Sequence, residues 1–578
     1  MGPWLWGNAM IGESLDRTAA DVLVHKLREF GVERMFGIPG DAINGVVDAI
    51  RRHPKVEFIQ VRHEEAGAFM ASAYAKLTGN LGVCLGTAGP GAIHLLNGLY
   101  DAKLDHAPVL AITGQVDSDV IGTHYFQEVN LQHLFDDVAV YNARVATPDQ
   151  VAHIVTLAAR EALSKKGVAQ ISFPLDIPNR MVSRDAPDFP AGYTDEVPVP
   201  DPEQMERAIR ALNEGKNIAI LVGRGALGAG EEMGALAERL GAPIVKTLLA
   251  KEVLPDDHPL VIGGLGLLGT RPGQEAMEHA KTLLMVGTSF PFTEYLPDDA
   301  LTIQIDSNPA AIGLRTKVDV PLLGDARSTL AELNRRVELR KNRGFLDTYL
   351  KATETWWERM EKEEGKDTVP LAPAALAKAV SDAAAVDAIV SVDVGNVTTW
   401  TARHFRATAW RRFIFSGNLA SMGFGLPGAL AAQLAYPDRQ CLALCGDGGF
   451  TMLMGDFVTA VKYLLPVKVV VFNNSKLAMI KYEQEVMGHP DFGTDLQPID
   501  FAMFAEACGG QGYRVEEPAD LRDTVERFLA EEGPALLDAV VDPNVPPLPP
   551  YVKVEQAYRY VWALFREKFP WTRKEEGD

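Results

Sequence analysis

CLALCGDGG (residues 441–449) and PVKVVVFNN (466–474) are the two stretches on which the reading of this chain turns. Each is an unbroken apolar run that ends in small polar residues. Unbroken hydrophobicity over so short a length marks a strand covered on both faces, as strands of parallel sheets are. In one parallel sheet, Gly446-Asp447-Gly448 and, after an interval of 24 residues (449 through 472), Asn473-Asn474 meet at the carboxyl edge, where doubly wound folds bind ligands. Glycines let a backbone approach an anion closely. A carboxylate, an amide oxygen and a main-chain carbonyl make an oxygen set suited to Mg2+ bridging to phosphate. Either fragment alone is an ordinary turn; the two together at this spacing read as a ligand site.

Working outward, the same kind of run recurs as PVLAITG (108–114), IAILVG (218–223), TLLMVG (282–287) and AIVSVDVG (388–395), with helical stretches between them. The fold class is therefore α/β, with doubly wound parallel sheets. Residues 184–202 (RDAPDFPAGYTDEVPVPDP) are rich in Pro and Asp and lack periodicity, and a charged stretch ends in EKEEGKDTVP near Pro370. Boundaries placed there leave three consecutive blocks, 14–183, 203–345 and 370–545, followed by a tail, 546–578, with no close sequence repeat between the blocks.

The chain's 578 residues are ample for three or four domains at roughly 100–200 residues each. A composition of 47% hydrophobic and 23% charged residues excludes a disordered or collagen-like chain. Fifty-six Lys and Arg against 77 Asp and Glu give a net charge of −21, which repels phosphate backbones and excludes nonspecific nucleic-acid binding. The four cysteines, Cys84, Cys441, Cys445 and Cys508, contain no CxxC pair, so neither a disulfide framework nor a structural zinc site is indicated and a reducing, cytoplasmic setting is expected. No apolar run approaches the roughly 20 residues of a membrane span, and no secretory signal is expected at the N-terminus. Residues 1–10 read as an expression leader or alternative start as readily as structure. The tail, with aromatic and aliphatic residues among basic ones, reads either as a helix docked on its own protein or as an amphipathic helix at a lipid surface.

The pattern GDGG…NN resembles the signature of thiamine diphosphate enzymes. That resemblance implies that Asp447, the side chain of Asn474 and the backbone carbonyl of Lys476 ligate Mg2+ on the cofactor's diphosphate, with Gly446 and Gly448 in the diphosphate loop. It further implies an activating glutamate in the first block. In VEFIQVRHEEAGAF a strand-like segment runs into His63-Glu64-Glu65 and then a helix; from the residues alone this is an acidic pair favoured by a helix N-terminus, and by resemblance Glu64 is the activator. Ala420-Ser421-Met422-Gly423 stands where family members bend the cofactor over an apolar side chain, Met422, with the Ala420 carbonyl taking the pyrimidine amino group. Gly89-Pro90-Gly91 resembles the loop lining the site from the first block. Family sites join the first block of one subunit to the third of another, so a homodimer or homotetramer is implied.

In the middle block, Gly223-Arg-Gly225-Ala-Leu-Gly228 matches GxGxxG, but the next strand, APIVKT, ends near Lys246 without the acidic residue that grips an NAD ribose. Loops at 246–252, 263–270, 287–292, 304–313 and 324–326 together look like the FAD-binding middle domain of pyruvate oxidases and acetolactate synthases. Gly225, Thr247, Gly266, Gly287, Phe290, Asp306, Asn308 and Asp325 are the contacts implied.

The resemblance is closest to pyruvate oxidase and the quinone-dependent pyruvate dehydrogenase. HYFQE places Phe126 and Gln127 near the substrate, and IKYEQE places Glu483 against the intermediate. The implied reaction is oxidative decarboxylation of pyruvate, or another small 2-oxo acid, through a thiamine diphosphate enamine. Electrons pass to FAD and then to quinone or oxygen, giving acetate or acetyl phosphate and CO2. Met479 departs from the aromatic residue common at its position, which keeps an acetolactate synthase-type carboligase with a structural FAD as the alternative. A cytoplasmic protein, touching the inner face of the membrane if its tail does, is the location implied.

Overall fold

The computed structural model describes residues 17–193, 197–547 and Ala563. The leader, the start of the first block and, save Pro546, Pro547 and Ala563, the tail lie outside them. The chain parts into two compact units, Met1–Thr194 and Asp195–Asp578. The first unit holds one parallel sheet and the second holds two.

In the first unit β1 (Arg34–Gly37), β2 (Glu57–Gln60), β3 (Gly82–Gly86), β4 (Val109–Gln115), β5 (Ala139–Arg144) and β6 (Val168–Pro174) form a sheet in the order β2-β1-β3-β4-β6-β5. The next sheet contains β7 (Ile218–Val222), β8 (Ile244–Lys246), β9 (Val261–Gly264), β10 (Thr282–Val286), β11 (Leu301–Asp306) and β12 (Val320–Leu323), in the order β12-β11-β10-β7-β8-β9. The last contains β13 (Ile389–Val392), β14 (Arg412–Phe415), β15 (Cys441–Gly446), β16 (Lys468–Asn473), β17 (Gln511–Val515) and β18 (Ala535–Val540), in the order β14-β13-β15-β16-β18-β17. All six apolar runs read from sequence are strands, and every strand pairing is parallel. The first and last sheets share one strand order, whereas the middle sheet reverses direction between β7 and β10.

The unbroken runs are apolar because both faces are covered. In β7, Ile218, Ile220 and Val222 enter one core while Ala219 and Leu221 enter another on the opposite face. Pairing of β15 with β16 sets Gly446 level with Phe472, which brings Asp447 and Asn474 to the same edge.

Residues 346–369, between the second and third blocks of the sequence reading, are largely helical. The helix Gly344–Glu364 buries Leu346, Tyr349, Thr353, Trp356 and Met360, a stripe at helical spacing.

A segment leaving β8 fastens the second sheet's domain to the third's. Leu248 and Leu249 pack on the third domain's core, and Glu252 accepts hydrogen bonds from the Phe413 amide (2.7 Å) and the Arg412 guanidinium (3.0 Å). Asp256 joins two buried lysines, Lys246 at 2.7 Å and Lys251 at 3.0 Å, and accepts from the Ala407 amide at 2.7 Å. Lys251 also donates to the Ala402 carbonyl. Burial raises the Asp256 carboxyl, but the two ammonium groups outweigh it and hold the acid well below the usual carboxylate range. Asp256→Asn leaves both ammonium groups without their counter-charge and is expected to cost about 3–5 kcal/mol, read as the urea midpoint at neutral pH. Because the folded carboxyl titrates below the unfolded one, this stabilisation exists above about pH 4 and fades as pH falls further. The gap between wild type and variant therefore narrows in acid.

Candidate active site

The two loop tips of the third domain touch. Asp447 opens the helix Asp447–Leu453 directly after β15, and its carboxylate accepts from the backbone amides of Gly448 (2.9 Å), Asn474 (3.1 Å) and Ser475 (2.5 Å). Asn474 and Ser475 belong to the turn after β16. There Ser475 sits at φ +52° and the Asn474 side chain accepts from the Lys476 amide at 3.0 Å. Lys476 spends its ammonium on Asp491 and Asp495, both at 2.6 Å, which pins the turn. Asn473, the other asparagine of the pair, points into the protein and bonds Asp538 at 2.8 Å; its role is to join β16 to β18.

Burial pushes the Asp447 carboxyl up to about 6, against the amides of Gly448, Ser475, Asn474 and Lys476, which favour the charged form. A carboxylate held where its charge is costly, at the tip that adjoins the Asn474 turn, fits a hard divalent cation. A Cβ at Gly446 would meet nothing within 4 Å, so the chain leaves open space at this edge.

Across the same edge, Met422 lies against Gly448, where a Cβ would come within 3.3 Å of the Met422 methyl. Ala420 is held at φ +56°, a left-handed conformation that costs a non-glycine residue about 1–2 kcal/mol. The device holding this loop is Asp393, at the end of β13. Its carboxylate accepts from the amides of Val394 (2.7 Å), Gly423 (2.9 Å) and Gly425 (3.3 Å), and burial pushes it up to about 6. A Cβ on Gly449 would strike that carboxylate at 2.8 Å. Asp393 thus positions both the Met422 loop and the start of the Asp447 helix. It was visible in sequence only as part of AIVSVDVG, because the loop it holds lies some 30 residues away.

The first unit assembles its own group. His63 caps the helix Glu64–Thr78 by accepting from the Glu65 amide, and Glu64 and Glu65 form its acidic first turn. The two acids then diverge. Glu65 takes the amide of Asn97 at 2.6 Å. Glu64 is buried, with one oxygen 3.0 Å from His94 Nδ1 and the other 3.3 Å from where a Cβ on Gly91 would stand. Gly89-Pro90-Gly91 therefore faces Glu64. Gly89 must be glycine: its φ is +62°, and a Cβ would meet the Gln127 carbonyl at 3.0 Å. Gln127 is thus placed against the Gly-Pro-Gly loop, itself at φ +62°, while Phe126 is 77% exposed. His94 escaped the sequence reading although it lies four residues after Pro90; its contact with Glu64 spans 30 positions. Glu483 lies on the helix Ala478–Val486, exposed, one turn after the partly buried Met479.

In the middle sheet the candidates stand at the carboxyl ends of strands. The loops after β7 and β10 meet at the point of reversal, where the Gly225 amide donates to the Gly287 carbonyl at 3.0 Å. A Cβ on Gly287, at φ +61°, would lie 2.5 Å from the Gly225 backbone. A doubly wound sheet binds dinucleotides at this crevice, and bare backbone is what a pyrophosphate approaches. Gly266, at φ +89°, lies against Phe290, 3.3 Å from its ring at the Cβ position. Thr247, Gly264, Leu265 and Thr270 line a pocket closed by Trp357 and Arg403. Asp306 accepts from the Asn308 amide at 2.9 Å, and Asp325 caps the helix Ala326–Arg336 through the Ser328 amide. Asp325 is therefore occupied as a cap, and Asn308 is exposed. The residues present fit an FAD best at Gly225, Gly287 and Thr247.

Comparison with known proteins agrees with this geometry. The chain matches the thiamine pyrophosphate enzyme N-terminal TPP binding domain over residues 17–134, the central domain over 205–333 and the C-terminal TPP binding domain over 393–539. It is 46% identical over 542 residues to YdaP of Bacillus subtilis, a thiamine pyrophosphate-containing protein by name, covering 94% of each chain. It is 38% identical over 539 residues to a pyruvate oxidase of Lactiplantibacillus plantarum, covering 91% of this chain and 89% of the other. An acetolactate synthase large subunit of Corynebacterium glutamicum is 31% identical over 548 residues, with 91% and 87% covered.

Proposed function

We propose, from the premise that the chain belongs to the thiamine pyrophosphate enzyme family, that this thiamine diphosphate-dependent enzyme decarboxylates pyruvate oxidatively. In this reading electrons pass through FAD to quinone or oxygen and the acetyl group leaves to water or phosphate. The observation that carries the FAD, in this reading and in its carboligase alternative, is the close backbone contact of Gly225 with Gly287 at the reversal of the middle sheet, where a doubly wound sheet takes a dinucleotide. Identity to pyruvate oxidase at 38% against 31% for acetolactate synthase supports the same branch.

Bound thiamine diphosphate supplies an electron sink for the decarboxylated carbon, and bound FAD a two-electron acceptor. Asp447, the Asn474 side chain and the Lys476 carbonyl would hold Mg2+. Glu64 holds and moves a proton at its carboxylate, kept in place by burial and by His94. Gln127 and Glu483 orient the 2-oxo acid, and a site poor in water favours loss of CO2 by removing solvation from its carboxylate. The working site is completed by a second copy of the chain, which makes a homodimer the smallest active form. Among the described residues no helix is long and apolar enough to cross a membrane, so a quinone acceptor requires contact at the membrane surface.

Mixing pyruvate without oxygen with protein reconstituted with thiamine diphosphate, Mg2+ and FAD is expected to bleach the oxidised flavin. An unchanged flavin spectrum with accumulating acetolactate decides for the carboligase, the reading that Met479 favours.

A further inference from the structure

We propose that His63, Glu64 and His94 form a second metal site, suited to a borderline divalent ion such as Zn2+ or Ni2+, that switches the protein off by taking the carboxylate of Glu64. One ligand atom from each of the three lies within 4.8 Å of the others. His94 Nδ1 is already 3.0 Å from a Glu64 oxygen, and the His63 and His94 rings stack at 4.5 Å with 28° between their planes.

Tetrahedral Zn2+ with bonds near 2.0–2.2 Å needs ligand atoms about 3.4 Å apart. The triad must close by little more than 1 Å, within reach of rotations about the histidine side-chain bonds. In the single chain their side chains are 41% and 43% exposed, which leaves room for that rotation, while Glu64, at 10%, is the fixed member. The exposure also provides the entry path, and a fourth position stays open to water or a carboxylate.

The donor chemistry separates this site from the one at Asp447. Two imidazoles and one carboxylate favour Zn2+, Ni2+ or Cu2+, whereas Mg2+ takes oxygen ligands. Two terms oppose binding. His63 caps a helix through the Glu65 amide, and the positive end of that helix disfavours a cation. Both are small beside three coordinate bonds, and Glu65, whose carboxylate lies 3.9 Å from His63 Nδ1, offsets the second.

A carboxylate committed to the metal cannot serve the thiamine cofactor, so zinc and thiamine diphosphate exclude one another, each weakening the other by the same factor. This consequence, though not the binding itself, rests on the reading of Glu64 given above.

The test is calorimetric titration of the full-length chain, stripped of thiamine diphosphate and Mg2+, with zinc chloride. One ion per chain is expected, with His94→Asn and His63→Gln each weakening binding at least 10-fold in variants that keep the wild-type circular dichroism and melting profile. Absence of binding, or binding unchanged in both variants, overturns the site. Variant-sensitive binding that saturating thiamine diphosphate with Mg2+ leaves untouched upholds the metal site and overturns the exclusion, pointing away from Glu64 as the cofactor's partner; loss of zinc affinity under those conditions supports both.

Discussion

Glu64→Gln is expected to lower pyruvate turnover by roughly 10²–10⁴-fold, the usual worth of a positioned acid or base, while thiamine diphosphate affinity changes by only a few fold. The substitution keeps shape and volume. The residue opens a helix whose capping is done by His63, so the local fold does not depend on its charge. What the amide cannot do is take up or release a proton. The carboxyl is buried beneath Gly91 and held by His94 at 3.0 Å. Steady-state kinetics beside a cofactor titration separates the two effects. Turnover at the wild-type rate would remove Glu64 from the chemistry.

Asp447→Ala is expected to weaken Mg2+-dependent thiamine diphosphate binding by roughly 100-fold or more, since removing even an outer-shell partner of a metal ligand commonly costs 10–100-fold. Cofactor-free protein should change little in stability, because two effects oppose. The variant loses an acceptor for the amides of Gly448, Asn474 and Ser475, yet it also removes a carboxylate that burial pushes up to about 6. Equilibrium binding with a Mg2+ titration, alongside a melting curve of the cofactor-free variant, measures both. Full affinity in the variant would place the metal elsewhere.

The sequence showed what local pattern can show. Six unbroken apolar runs became β4, β7, β10, β13, β15 and β16, since short strands covered on both faces need apolar residues at consecutive positions. The pairing of GDG with the second asparagine of NN was legible because each tip ends a strand. Edge strands carry a weaker signal: β2, read as the strand-like segment before His63, has the burial pattern of a half-covered strand, and β17, which the sequence reading passed over, is largely open. The shared strand order of the first and last sheets left no trace in sequence, because order is set by pairings between distant segments. The helix Gly344–Glu364 was hidden by its charge, although Leu346, Tyr349, Thr353, Trp356 and Met360 mark one face. Asp393 and His94 were missed for a common reason: each acts on a partner about 30 residues away, through contacts that exist only once the sheets have formed.

The segment that leaves β8 also dictates how this chain can be cut for study. A fragment ending near residue 345 would strand Leu248 and Leu249 in water and leave Glu252 and Asp256 without the third-domain amides they accept from. Expressed alone, such a piece should aggregate rather than report on flavin binding. The productive place for a scissor is the stretch around 184–202, which falls between the two compact units and keeps the segment after β8 together with the domain it grips.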